Sequence, residues 1–183
     1  MLRVSISGAH SVGKSTLAKH LINHYSSQYK VVEIREVARQ LIQSGFKMSQ
    51  HITEYGIINY INRYLKLERN LIGDILISDR SLIDLLAYIK ANKAKKIRNE
   101  FISLVEEAVY LESKQYDLYI YIPIEIPFEE DGIRPSDLYY RELVDNKIRE
   151  LLDTYKTNWI KINGSESKRL KMCVKRIDEM FHR

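Results

Sequence analysis

The run Gly8-Ala9-His10-Ser11-Val12-Gly13-Lys14-Ser15 fits the pattern G-x-x-x-x-G-K-[ST]. Residues of these types at this spacing hold phosphates. The glycines permit backbone angles that turn amide N–H groups inward around an anion. Lys14 reaches the β- and γ-phosphates of a nucleoside triphosphate, and the Ser15 hydroxyl suits the Mg2+ ion that bridges them. Thr16 follows on the α-phosphate side. His10 is not required by the pattern and reads as a loop-tip residue lining the same cradle. The ligand set this predicts is ATP with Mg2+.

Other charged residues fall where they could complete such a site. Asp79-Arg80-Ser81 follows the apolar run Ile75–Ser78. An acid delivered at the C-terminal end of a buried strand lies where ligands of open α/β sheets bind. Asp79 is a candidate for holding Mg2+ or for taking a proton from an acceptor hydroxyl. Arg80 is a candidate clamp for an acceptor phosphate. Glu36 and Arg39 are three apart and share a helix face, as a second acceptor pair or as a surface ion pair. Arg134 is the first candidate for an arginine that closes on the transferred phosphoryl group, and Arg141 the second. Asn163-Gly164-Ser165 forms a turn against which an adenine could pack, with Arg169 nearby.

The elements that must position these residues alternate. Strands are expected at Leu2–Ser7, Val31–Ile34, Ile75–Ser78, Leu118–Ile122 and Asn158–Ile162. Helices are expected from Lys14 to about Tyr25, Glu36 to Gln43, Thr53 to Leu71 and Leu82 to Ile89. Further helices are expected from about Ala94 to Lys114, Asp137 to Tyr155 and Ser167 to Phe181. Ser81 and Asp84 make a capping box at the fourth of these helices. Five strands interleaved with helices predict a parallel sheet covered on both faces. Pro123, Pro127 and Pro135 all lie between the fourth strand and the next helix, together with Gly132. That stretch, 123–136, has the length and composition of a lid.

Composition sets bounds. The 183 residues suit one domain, 1–183. Cys173 is the sole cysteine, and no Cys/His cluster has zinc spacing. No run is long and apolar enough for a membrane span, and no signal peptide is evident, so a cytoplasmic protein without a membrane partner is expected. The net charge of +5 suits a polyanionic ligand without choosing between nucleotides and nucleic acid. The basic stretch Lys90–Arg98 could track a phosphate backbone, although a solvated helix end is the simpler account. A homodimer stays open.

Gly8–Ser15, Glu36-x-x-Arg39, Asp79-Arg80-Ser81, Asp131-Gly132-x-Arg134 and Asn163-Gly164 together resemble the P-loop nucleoside and nucleotide kinases. More narrowly, the chain resembles the ribosylnicotinamide-kinase-like group of AAA ATPases, which includes phage-type deoxynucleotide kinases. The resemblance implies a three-layer α/β fold with a five-stranded parallel sheet in order 2-3-1-4-5, an acceptor region near 45–73 and a lid near 123–136. The acceptor region offers Tyr55, Tyr60 and Tyr64 for stacking, and Gln50, Asn59, Asn62 and Arg63 for hydrogen bonding. Tyr60 and Tyr64, four apart, suit helix packing equally well.

Charge bears on the acceptor. A nucleoside hydroxyl benefits from a carboxylate base, which Glu36 or Asp79 supplies. A nucleotide acceptor brings a phosphate and needs arginines, which Arg39 and Arg80 supply. Two arginines favour a (deoxy)nucleoside monophosphate. A nucleoside such as ribosylnicotinamide, a polynucleotide end or modified base, and a non-catalytic ATP-binding switch are the other readings; the last has no use for an acceptor acid or a lid arginine. Lys14→Ala is expected to abolish phosphoryl transfer, measured as ADP release; substantial residual turnover would mean that the phosphate loop is misassigned.

Overall fold

The computed structural model describes residues 1–92, 97–125 and 137–181. Five strands, β1 (Leu2–Ser7), β2 (Val31–Ile34), β3 (Ile75–Asp79), β4 (Leu118–Tyr121) and β5 (Trp159–Lys161), form one parallel sheet in the order β2-β3-β1-β4-β5. Among the described residues seven helices flank it: α1 (Lys14–Tyr25), α2 (Val37–Gln43), α3 (Glu54–Asn70), α4 (Leu82–Ala91), α5 (Asn99–Ser113), α6 (Leu138–Thr154) and α7 (Glu166–Phe181). The expected fold and strand order are the ones observed.

The alternation of side chains along each strand sorts the core into two halves. Val4, Ile6, Ile75, Ile77, Leu118 and Ile120 point to the face covered by α1 and α7. Leu76, Tyr119 and Tyr121 point to the other face, among residues of α2 through α6. On that second face β1 contributes buried serines, Ser5 and Ser7. Beside them in register lies Ser78 of β3, the parallel partner of Ser5. The centre of this face therefore carries polar groups: Ser7 Oγ donates to Asp84, and Ser78 meets a tyrosine. Tyr64 Oη lies 3.2 Å from Ser78 Oγ and 2.5 Å from Tyr116 Oη.

Two expectations need correction. The helix expected from about Ala94 starts at Asn99, with Ile97 and Arg98 outside it and Ala94–Lys96 outside the described residues. Arg98 is held extended because its backbone N–H and its guanidinium both donate to the Glu54 carboxylate, at 2.9 and 2.7 Å. The side-chain bond from Arg98 leads in holding the Glu54 carboxyl down at about 2. Lys90, at the other end of the basic stretch, pairs with Glu106. Both flanks of that stretch thus spend their charge on acids of the same chain. Between α2 and α3 the chain makes an unexpected short 3-10 turn, Ser49–His51.

Glu68 of α3 is buried, and accepts a 3.0 Å hydrogen bond from Arg3. Burial, reinforced by the Glu112 carboxyl, pushes its pKa from the ordinary 4.5 up to about 8. The folded chain then holds a proton there that the unfolded chain releases near 4.5. The contribution is complete below that value and is lost as pH rises through about 8. Glu68→Gln keeps the acceptor for Arg3 and removes the titration. Urea midpoints between about pH 5 and pH 8 should fall less steeply for the variant than for the wild type. An equal slope would assign the pH dependence to other groups.

Candidate active site

The sheet register gathers the site. Ile6 pairs with Asp79, and Ser7 with Tyr121, so the chain leaves β1, β3 and β4 at one edge. The loop after β1 wraps back over that edge. Gly8 has φ 153°, and a Cβ there would stand 2.5 Å from the Ile122 carbonyl oxygen. Only glycine allows the loop to lie this close to β4. Gly13 has φ 91° and caps α1. The Lys14 side chain is buried and its ammonium donates to the Ala9 carbonyl. Ser15 and Thr16 are exposed at the start of α1.

Ser15 Oγ donates to Asp79 Oδ2 at 2.5 Å. The other oxygen, Asp79 Oδ1, is buried and has no hydrogen-bond partner among the described residues. A hydroxyl beside a carboxylate with an unspent oxygen fits Mg2+, which takes one or two protein oxygens and fills its shell with water and phosphate oxygens. Among the described residues no three His, Cys, Asp or Glu side chains gather as a metal-holding group.

Arg80 adopts φ 87°, a strained conformation for a non-glycine residue. Its guanidinium lies 3.6 Å from Asp84 Oδ1, donates to the Gly8 carbonyl at 3.5 Å and sits 5.2 Å from the centre of the Tyr88 ring. Burial acts to lower its pKa, but Tyr88, Asp84 and Asp79 outweigh burial and the net shift is upward. Among the described residues only Nη1 of this group is hydrogen-bonded. The side chain keeps 21% exposure.

Glu36 also adopts a left-handed conformation, φ 58°, at the start of α2. Arg39 Nη1 donates to Glu36 Oε1 at 3.2 Å, and both side chains are exposed. Tyr60 is buried in α3, stacked against Tyr64 with centroids 6.2 Å apart. It feels Arg80, Asp84 and Asp79 electrostatically, although burial is the main cause of its raised pKa. Gln50 donates to Asp137 Oδ2 at 3.3 Å, which joins the acceptor region to the start of α6. Asn59 is spent within α3 on the Tyr55 carbonyl.

Several residues sit elsewhere than a reading along the chain suggests. His10 is buried, not exposed at a loop tip, with Nδ1 3.3 Å from Tyr88 Oη. Arg141 is buried, and its Nε and Nη2 donate to the carbonyls of His10 and Ser11, each at 3.0 Å. It lies on the outer side of the phosphate loop. Arg169 likewise donates to the Val12 carbonyl at 2.7 Å. Glu125 Oε2 accepts from both Arg169 and the Gly164 amide, each at 2.9 Å, so the turn after β5 is tied to the chain leaving β4. Asn163 is half-buried beside that turn. Arg134, with the rest of 126–136 in the expected lid, lies outside the described residues.

Sequence reasoning passed over three participants: Tyr88, Glu125 and Asp145. Asp145 is buried in α6, accepts from Tyr121 Oη at 2.7 Å and leaves Oδ1 without a partner among the described residues. Burial raises its pKa, while Arg149, Lys14 and Arg141 oppose the rise. Its one visible signal is the four-residue spacing from Arg141. Asp84 was legible only as a helix cap.

The model of one family, an AAA domain, matches residues 3–169. No curated protein matches the chain. Among solved structures, the chain superposes on NadR protein in complex with NR at TM-score 0.77 and 16% identity, covering 97% of this chain and 51% of NadR. It therefore spans about half the length of that protein. A deoxyadenosine kinase from M. mycoides matches at TM-score 0.67 and 14% identity, with 97% of this chain and 100% of that chain covered. A thymidylate kinase from Ehrlichia chaffeensis matches at 0.68 and 15%, covering 97% and 98%. The shared feature is the P-loop NTPase fold.

The two carbonyl bonds of Arg141 yield a prediction. Arg141→Met removes both while keeping an unbranched chain in the same space. Loss of charged hydrogen bonds of this kind should weaken binding of a non-hydrolysable ATP analogue by about tenfold or more. Calorimetric titration reads this directly, and unchanged affinity would show that the loop keeps its shape without Arg141.

Proposed function

This chain belongs to the AAA-domain family, and we propose that it transfers the γ-phosphoryl group of MgATP to a small nucleotide, a (deoxy)nucleoside monophosphate. The observation that carries the acceptor class is the guanidinium of Arg80. It is fixed by Asp84, the Gly8 carbonyl and the Tyr88 ring, one residue from Asp79, with donors left over. A fixed cation beside a phosphate loop matches an acceptor that carries its own phosphate. The superposition on both a thymidylate kinase and a deoxyadenosine kinase is compatible with this class and does not select it.

In this reading the amides of Gly8–Ser15 cradle the triphosphate, and Lys14 neutralises charge at the β- and γ-positions. Ser15 and Asp79 would hold Mg2+, which supplies charge neutralisation at the phosphate oxygens. Arg80 and Arg39 orient the acceptor phosphate, and Glu36 and Tyr60 border its nucleoside. Arg134, the expected closing arginine, lies outside the described residues. The turn at Asn163 and Gly164 receives the adenine.

A nucleoside acceptor is the second reading, favoured by one observation. Among the described residues Asp79 Oδ1 has no partner, and it could take a proton from a hydroxyl. An ADP-release assay over paired nucleosides and nucleoside monophosphates separates the two. The expected result is a kcat/KM at least about tenfold higher for one monophosphate than for its nucleoside, lost in Arg80→Ala. The reverse order would overturn the monophosphate reading in favour of the nucleoside. No stimulation by either class would leave a polymeric acceptor or an ATP-dependent switch.

A further inference from the structure

We propose that Asp84 is the positioning residue that locks the phosphate loop and the Arg80 guanidinium into one frame; the inference rests on the phosphoryl-transfer reading above. A carboxylate in the first turn of a helix usually acts locally, accepting from the residue before the helix, and is solvated. Asp84 does make that local contact. Its Oδ2 accepts from the Ser81 amide at 3.0 Å, and lies 3.4 Å from the Ser81 hydroxyl. A cap alone would need neither burial nor further partners. Asp84 is 1% exposed.

Its other contacts come from far along the chain. Oδ2 also accepts from Ser7 Oγ, the last residue of β1, at 2.8 Å. Oδ1 accepts from the Gly8 amide, the first of the phosphate loop, at 3.2 Å, and faces the Arg80 guanidinium at 3.6 Å. One side chain thus fixes where the loop begins, where α4 begins and where the acceptor arginine points. Arg80 needs such a partner, because its backbone is strained and its charge is largely withdrawn from water. The Asp84 carboxylate, 3.6 Å away, compensates that charge.

The geometry also says what asparagine would do in its place. Backbone N–H groups face both oxygens, Gly8 on one side and Ser81 on the other. Serine hydroxyls can turn round to accept; amide N–H groups cannot. Whichever way the side-chain amide of an Asp84→Asn variant is set, its NH2 meets one of these donors, and Arg80 loses its counter-charge.

The test is a double-mutant cycle of Asp84→Asn with Arg80→Ala, read as kcat and KM with MgATP and the acceptor the panel identifies. Asp84→Asn should lower kcat on the order of a hundredfold, a size typical of misplaced catalytic groups. Arg80→Ala should then cost at least about tenfold less in the Asp84→Asn background than in the wild type. Equal costs in the two backgrounds would overturn the proposal and leave Asp84 as a cap. Hydrogen exchange of the Gly8 amide gives a readout that needs no acceptor, and it should accelerate by about tenfold or more in Asp84→Asn. Faster exchange with no turnover on any acceptor would fault the kinase reading and keep the anchor; unchanged exchange would remove the anchor itself. If Asp84→Asn does not fold, Ser7→Ala carries the same readouts in milder form. It should speed Gly8 exchange and lower kcat several-fold, and wild-type values for both would overturn the proposal.

Discussion

A carboxylate buried at the edge of a sheet must find its hydrogen-bond donors inside the protein, and Asp84 finds them on β1, on the phosphate loop and at the start of α4. The rest of the site is arranged around that requirement. β1 ends in serine, whose hydroxyl reaches the carboxylate where an aliphatic side chain would remove one of its donors. The turn after β3 is strained at Arg80, whose guanidinium faces the same acid. Removing one member of such a network costs more than its own bond, since the remaining buried groups are left unpaired.

This accounts for the unequal faces of the sheet. The side toward α1 and α7 is aliphatic and packs without directional demands. It gives the phosphate loop a rigid mount. The side toward α3 and α4 carries Ser5, Ser7 and Ser78, and its hydrogen-bonded tyrosines fix angles as well as distances. Arg80 follows Ser78 on this polar side of the sheet, whereas Asp79, two residues after Ile77, falls on the α1 side and meets Ser15. The position of Arg80 is therefore set by a network whose members are discrete donors and acceptors, where an apolar core would tolerate small shifts.

What the chain discloses by itself follows the same division. The phosphate loop is legible because its chemistry demands particular residue types within eight consecutive positions. The sheet is legible because buried parallel strands are short apolar runs between helical patterns. The placement of Asp79 follows from those two facts alone. The roles of His10, Arg141 and Arg169 are not legible, because each depends on contacts between residues more than seventy positions apart. Arginines in helices of mixed charge look like solvated ones until the fold brings carbonyls against them. The late start of α5 has the same cause: Glu54, forty-four positions earlier, holds Arg98 extended. The left-handed conformations of Ser11, Glu36 and Arg80 carry no local signal, since none of the three is glycine or asparagine.

The arginines behind the phosphate loop explain how a loop without regular structure can be an anion site. A trans peptide points its carbonyl and the next N–H in opposite directions. Arg141 draws the carbonyls of His10 and Ser11 outward, and Arg169 draws that of Val12 outward. The amides of Ser11, Val12 and Gly13 must then face the other way, into the cradle. The glycines make this backbone path sterically open, but they do not select it, because glycine is permissive in every direction. The selection comes from two buried guanidinium groups that occupy the carbonyls. A planar fork with several donors can hold two adjacent carbonyls at once, which a lysine cannot do in fixed geometry. The loop is thereby arranged for phosphate before any phosphate arrives, and the free energy of ordering it is met by folding and not by binding.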